Sequence, residues 1–157
     1  MLRIIFLFLF LPVAAQAQTD ITLGGIRADP TAPVEVTADN LTVDQTARSA
    51  VFAGNVVIGQ GDLRIAAGRV QVIYDEASGD IGQLLAAGGV TFVTETEAAE
   101  AQSADYNLTT GMLTLSGEVL LTQGASALSA DAMTINLRDG TAVMEGRVRT
   151  VFRQADN

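Results

Sequence analysis

The side chains in this sequence that can do acid–base or covalent chemistry are carboxylates, hydroxyls and guanidinium groups. Its 157 residues hold no Cys, His, Trp or Lys, and set nine Arg against 18 Asp and Glu. Without Cys or His there is no zinc site of the usual kind, no thiol nucleophile, no disulfide framework and no Ser-His-Asp triad. The tightest acidic group is Glu95, Glu97 and Glu100. Glycoside hydrolysis needs two such carboxylates flanking one bond, whereas these three read as a solvated loop between apolar runs. Gly59-Gln60-Gly61 lacks the third Gly and the following helix of a phosphate cradle. A net charge of −9 argues against a nucleic-acid binder, whose phosphate contacts need clustered cations. No catalytic residue, metal, cofactor or nucleic-acid partner is therefore assigned, and the chain is not expected to be an enzyme.

The first 17 residues read as an address. Arg3 precedes an apolar stretch from Ile4 to Leu11, Pro12 breaks it, and Ala15-Gln16-Ala17 fits an Ala-x-Ala cleavage site. A membrane span needs about 20 apolar residues, so cleavage near Ala17 and export to a periplasm are expected. The division expected is residues 1–17 signal, 18–32 N-terminal extension, 33–153 one domain and 154–157 tail.

A repeat organises the rest. An Ala with apolar or small residues at +3 and +5 precedes a Gly-x-Val by 16 residues, with the two landmarks alternating along the chain. The four copies start at Ala38, Ala67, Ala101 and Ala130 and reach Gly54, Gly88, Gly117 and Gly146. The period is 29 residues, and copy two carries a five-residue insertion. Within each copy apolar and polar residues alternate, as in half-buried strands. Turn residues separate them, as at Asp75–Asp80, Thr109-Thr110-Gly111 and Arg138-Asp139-Gly140. Each copy is thus two antiparallel strands of about ten residues. A corner is expected after each Ala, where the alternation skips, and a second bend at each Gly. The class is all-β, and four stacked hairpins can close as a sandwich or jelly roll or continue as a solenoid.

Alternation assigns an inward face. It comprises Val34, Val36, Leu41 and Val43, then Phe52, Val56 and Ile58, in the first copy. Ile65, Val70, Val72, Tyr74 and Phe92 follow in the second. Tyr106, Leu108, Leu113, Leu115, Val119 and Leu121 belong to the third, and Met133 and Ile135 to the fourth. Phe152 also points inward by parity. With 5% aromatic content and many small aliphatic residues, such an interior suits a flexible acyl chain better than a planar cofactor. For the aromatics, core packing and lining a ligand groove are equal alternatives.

The ends of the repeat array read as edges. Near the C-terminus Arg147, Val148, Arg149 and Thr150 form a strand, with Arg147, Arg149 and Arg153 outward, on a chain that is otherwise acidic. Arg on an edge guards against uncontrolled pairing or steers an acidic partner edge into register. Pro30 and Pro33 make the segment with Val34 and Val36 the other edge.

The runs Pro33-Val34-Glu35-Val36-Thr37-Ala38-Asp39-Asn40-Leu41, Phe52-Ala53-Gly54-Asn55-Val56-Val57-Ile58-Gly59-Gln60-Gly61 and Leu63-Arg64-Ile65-Ala66-Ala67-Gly68-Arg69-Val70 resemble the OstA-like family. Copies two and three depart from its Ala-Asp pair with Ala67-Gly68 and Ala101-Gln102. The resemblance implies an antiparallel, twisted, open β-jelly roll that carries lipopolysaccharide between membranes, with the lipid A acyl chains in its apolar interior. It implies head-to-tail homo-oligomers, and edge-strand pairing to LptC-like inner-membrane and LptD-like outer-membrane proteins. The alternatives are a structural or adhesive β-solenoid with a dry packed core, a secreted carboxylate enzyme acting on glycans, and an LptC-like inner-membrane partner that keeps its N-terminal helix.

Overall fold

The computed structural model describes residues 20–22, 29 and 31–152. The expected signal at 1–17 and Arg153 lie outside the described residues. Among the described residues eleven strands form one sheet: β1 (Asp20–Thr22), β2 (Glu35–Thr37), β3 (Asn40–Asp44), β4 (Ser49–Gln60), β5 (Leu63–Tyr74), β6 (Ile81–Val93), β7 (Glu97–Asn107), β8 (Met112–Gln123), β9 (Ser126–Asn136), β10 (Thr141–Glu145) and β11 (Arg149–Val151). The order runs β1-β10-β9-β8-β7-β6-β5-β4-β2, every pair antiparallel, with β3 also on β4 and β11 also on β9. The sheet does not close on itself. This is the open all-β jelly roll expected.

The repeat landmarks explain the bend. At Gly54-Asn55, Gly88-Gly89, Gly117-Glu118 and Gly146-Arg147 both residues have positive φ. The register slips at Ala53/Val56, Ala87/Val90 and Ser116/Val119. Two residues on one strand oppose one on its neighbour, which is a β-bulge that bends and twists the strand. The opposing single residue is the one after the repeat Ala: Asp39, Gly68, Gln102 or Asp131. The corner expected at each Ala and the bend expected at each Gly are therefore one feature. It runs across β4 to β9 as a seam, separates β3 from β2 and β10 from β11, and divides the sheet into two half-sheets.

Side chains tie the seam together. Asn55 Nδ2 donates to Asp39 Oδ2 at 2.8 Å, Gln102 Nε2 to Glu118 Oε2 at 2.9 Å, and Arg147 Nη2 to Asp131 Oδ1 at 2.6 Å. In copy two the partners are Gly68 and Gly88-Gly89, and a Cβ on Gly68 would stand 3.1 Å from the Gly88 carbonyl oxygen. The departures of copies two and three from Ala-Asp are thus matched by the residues they face.

Turn chemistry fixes the first half-sheet's outer margin. Asp44 Oδ1 accepts from Thr46 and Ala47 N–H, Asp75 Oδ1 from Ala77 and Ser78 N–H, and Asn107 Oδ1 from Thr110 N–H. Four residues after Asp44, Asp75, Asn107 and Asn136 the chain turns left-handed, at Arg48, Gly79, Gly111 and Gly140. The five-residue insertion lengthens the β5–β6 hairpin, with an extra residue at Gly82 where Ile73 pairs Gln83 and Tyr74 pairs Ile81. Its tip stands beyond its neighbours. The expected residue 18–32 extension contains a strand that alternation does not reveal: β1 sits on β10 through Ile21 opposite Ala142.

Candidate functional site

Strand pairing gathers the inward residues into rungs. In the first half-sheet Leu41, Phe52, Val70, Ala86, Ala104, Leu115, Met133 and Met144 stand opposite one another in turn. Beside them run Val43, Ala50, Val72, Leu84, Tyr106, Leu113, Ile135 and Ala142. The second half-sheet carries Val36, Ile58, Ile65, Phe92, Ala99, Leu121, Leu128 and Thr150. None of these three rungs contains a charged side chain; the next one out in the second half-sheet holds Glu97 opposite Gln123.

The middle of each rung is packed. Val56, Ile58, Ile65, Val70, Val72, Phe92, Tyr106, Leu113, Leu115, Val119, Leu121, Met133 and Ile135 are buried in one cluster. Val34, Val36, Phe52 and Leu108 are half-buried against it. At the ends the same inner face meets water: Leu41 is 55% and Val43 62% exposed on β3, and Tyr74 is exposed on the long hairpin. At the opposite end Phe152, two residues after inward Thr150, is 77% exposed. The inward parity of Phe152 is thus compatible with its position, but none of the described residues buries it. Of the expected partner edge, Arg149 and Thr150 lie in β11, Val148 precedes it, and Arg147 belongs to the seam. Val34 likewise precedes β2.

The half-sheets face each other, and their free margins meet at a mouth. Tyr106 Oη, from the first, donates to Gln60 Oε1, from the second, at 3.1 Å. Gln60 Nε2 in turn donates to the Ala32 carbonyl at 3.3 Å. Burial pushes the Tyr106 phenol above its ordinary value, with the positive charge of Arg138 opposing. It remains a neutral donor at physiological pH. Beside this pair lies a cavity of about 480 Å³, with Ala32, Val34 and Gln60 on one wall and Ile81, Leu108 and Thr109 on the other. A second, of about 420 Å³, lies at the β3 end against Val43 and Tyr74, and the 2.8 Å ion pair of Arg48 with Glu76 joins two of its lining residues. The inserted hairpin contributes Asp75 to both.

The acidic group of the sequence does not converge. Glu97 is buried, not solvated as expected, because its place on β7 faces inward opposite Gln123. Its carboxylate accepts from Thr94 Oγ1 at 2.9 Å, Thr96 Oγ1 at 2.5 Å and Gln123 Nε2 at 3.1 Å. Glu95 and Glu100 are exposed, and Glu100, three residues along the strand from Glu97, takes the opposite face. This arrangement offers no pair flanking a bond. Gly59-Gln60-Gly61 closes a tight hairpin, with Gln60 turned into the mouth.

Alternation alone missed several members of the face. Val90 occupies the repeat position of Val56 and Val119, and Leu84 and Leu128 stand opposite assigned residues. Propagating the period of 29 through the insertion finds all three. Gln60 carries no such signal, because its role depends on what faces it across the mouth.

The sequence model of a family described as LptA/(LptD N-terminal domain) LPS transport protein matches residues 35–141. An uncharacterised protein of Rhizobium meliloti (strain 1021) is 26% identical over 148 residues, covering 87% of this chain and 80% of its own length. The crystal structure of LptH, the LptA-homologous periplasmic component of the conserved lipopolysaccharide transport device from Pseudomonas aeruginosa, superposes with a TM-score of 0.73. It shares 16% identity and covers 81% of this chain and 99% of its own, a likeness of fold.

Proposed function

This chain belongs to the lipopolysaccharide transport family of LptA and the LptD N-terminal domain, and from that premise we propose that it is a periplasmic lipopolysaccharide-binding bridge. Export by cleavage near Ala17 delivers it, and acyl chains occupy the space between its half-sheets. The observation that carries this reading is that the three central rungs of the inner face hold no charged side chain from edge to edge, buried Glu97 lying beyond them at the hairpin margin with its carboxylate hydrogen-bonded to Thr94, Thr96 and Gln123, and that the face stays apolar where it meets water at Leu41, Val43 and Phe152.

Moving an acyl chain of about 14 carbons from water onto such a face stabilises the complex by roughly 10 kcal/mol, so no charged residue is needed to hold it. The rungs touch one another in the described conformation, so loading requires the half-sheets to part. An open sheet permits this by flexing at the seam, where the ladder is already interrupted. Transport then needs only similar affinity in successive subunits, with no chemistry by the chain itself.

Its edges supply the continuity. Exposed Glu35 on β2 and exposed Arg149 on β11 carry opposite charges on strands that end the sheet at opposite sides. Antiparallel or parallel addition there extends the sheet from one subunit to the next. Head-to-tail copies, with LptC-like and LptD-like proteins at the two membranes, complete the bridge.

Titration with a fluorescent acyl probe tests the reading. Binding near one probe per protomer is expected, and Leu115→Asp should abolish it while Thr114→Asp on the outer face leaves it intact. The second reading, a structural β-protein with a dry core, draws on the complete burial of Val70, Phe92, Leu113, Leu121 and Ile135. It requires that the probe not bind.

A further inference from the structure

We propose that the gap between the half-sheet margins at Val34, Ile81 and Leu108 is a lateral port for a single acyl chain, latched by the hydrogen bond from Tyr106 to Gln60. This rests on the acyl-binding reading above and adds where the chain passes and what holds the passage shut.

The port joins surface to core. Val34, Ile81 and Leu108 line the 480 Å³ cavity and pack directly against the buried cluster, so a chain that passes the polar rim of Asp75, Ser78, Asp80 and Thr109 and parts Tyr106 from Gln60 meets apolar side chains beyond them. The volume lies within the roughly 300–1,000 Å³ of small-molecule sites. Charge selects which end of a lipid enters. Asp75 and Asp80 stand at the rim, and carboxylates repel phosphorylated head groups while leaving a neutral tail unaffected. The occupant is therefore the tail, with its head group left outside.

The latch is polar, neutral and buried. Gln60 is 4% and Tyr106 5% exposed, and each satisfies the other across the mouth. Gln60 also holds the Ala32 carbonyl, which ties the segment before β2 to the same point. Two neutral hydrogen bonds give way to an incoming chain far more readily than a buried ion pair would, because neither partner is left as an unpaired charge. The wall opposite Gln60 includes Ile81, which begins β6 on the hairpin that the five-residue insertion lengthens. The insertion thereby builds one side of the port.

The absence of native Cys makes the test clean. In the mature chain, Ala32→Cys with Thr109→Cys places thiols on the two walls, and a reducible bis-methanethiosulfonate reagent of short alkyl spacer joins them. Uptake of cis-parinaric acid is then followed by stopped flow. Joining should slow uptake at least tenfold, reduction should restore it, and Tyr106→Phe should accelerate it severalfold. Joined protein loading as fast as reduced protein would overturn the port while leaving acyl binding intact. Failure of the wild type itself to bind would instead remove the underlying reading and the port with it. An unchanged or slower rate for Tyr106→Phe would overturn the latch.

Discussion

Arg48 has φ +48° at a turn position where the later copies place Gly79, Gly111 and Gly140. A non-glycine residue in this region costs about 1 kcal/mol, and the exposed ion pair of Arg48 with Glu76 returns little of it. Arg48→Gly should therefore stabilise the protein by up to about 1 kcal/mol in urea denaturation. Gly117 is the opposite case: its φ is +83°, and a Cβ would lie 2.6 Å from Gln102 Oε1. Gly117→Ala should destabilise by about 1–3 kcal/mol in the same assay. Carboxylates give a pH dependence. Hydrogen bonds from Ser78 and Ala77 N–H hold Asp75 below its ordinary 3.8, and the Arg147 guanidinium does the same for Asp131. Because the folded-state values are depressed, their contribution is complete above about pH 5 and is lost as pH falls through the folded-state values. The urea midpoint should fall between pH 5 and 3, and Asp131→Asn should make that fall shallower. The glycines were legible in the sequence as punctuation. Their pairing with the residue after each Ala was not, since it joins positions 15 or 20 residues apart.

At the scale of strands and hairpins, the period-two alternation was legible because one face is buried, and a slip by one residue would turn every apolar side chain to water. The rungs from Leu41 to Met144 follow from it directly. Three features were not legible. The skip in parity looked like two bends, because a linear sequence does not show that the Ala of one strand lies beside the Gly of the next. β1 has too few residues to show alternation, and its partner lies more than 100 residues away. Glu97 looked solvated because Thr94, Thr96 and Gln123, which donate to its carboxylate, are neutral residues without a motif. The terminal strands yield a prediction about assembly. Arg149→Glu places acid against acid when β11 approaches Glu35 of another copy, so end-to-end association should weaken, and mixing with Glu35→Arg protein should restore it. Light scattering at low ionic strength checks this, and association should also decline with added salt as charges are screened. Unchanged particle size for Arg149→Glu would show that these edges do not meet.

For the whole molecule, the physical question is how a protein with a filled core would accept the acyl chain proposed for it. The sheet answers by remaining open. Its two halves are joined through the seam, their margins are held by Tyr106, Gln60 and Ala32, and the central rungs of their inner faces carry no charge from β3 to β11. Closing such a sheet into a barrel would satisfy its edges but would leave neither a mouth nor a surface for the next subunit. The cost of openness is exposed apolar surface, seen at Leu41, Val43 and Phe152, where a neighbouring copy would cover it. The most direct test of acyl binding places a benzophenone amino acid in living cells at Phe52, on the inner face of β4, and at Val57, on the outer face of the same strand. Illumination should yield a lipopolysaccharide adduct from position 52 and none from position 57. Adducts from both positions or from neither would contradict the account.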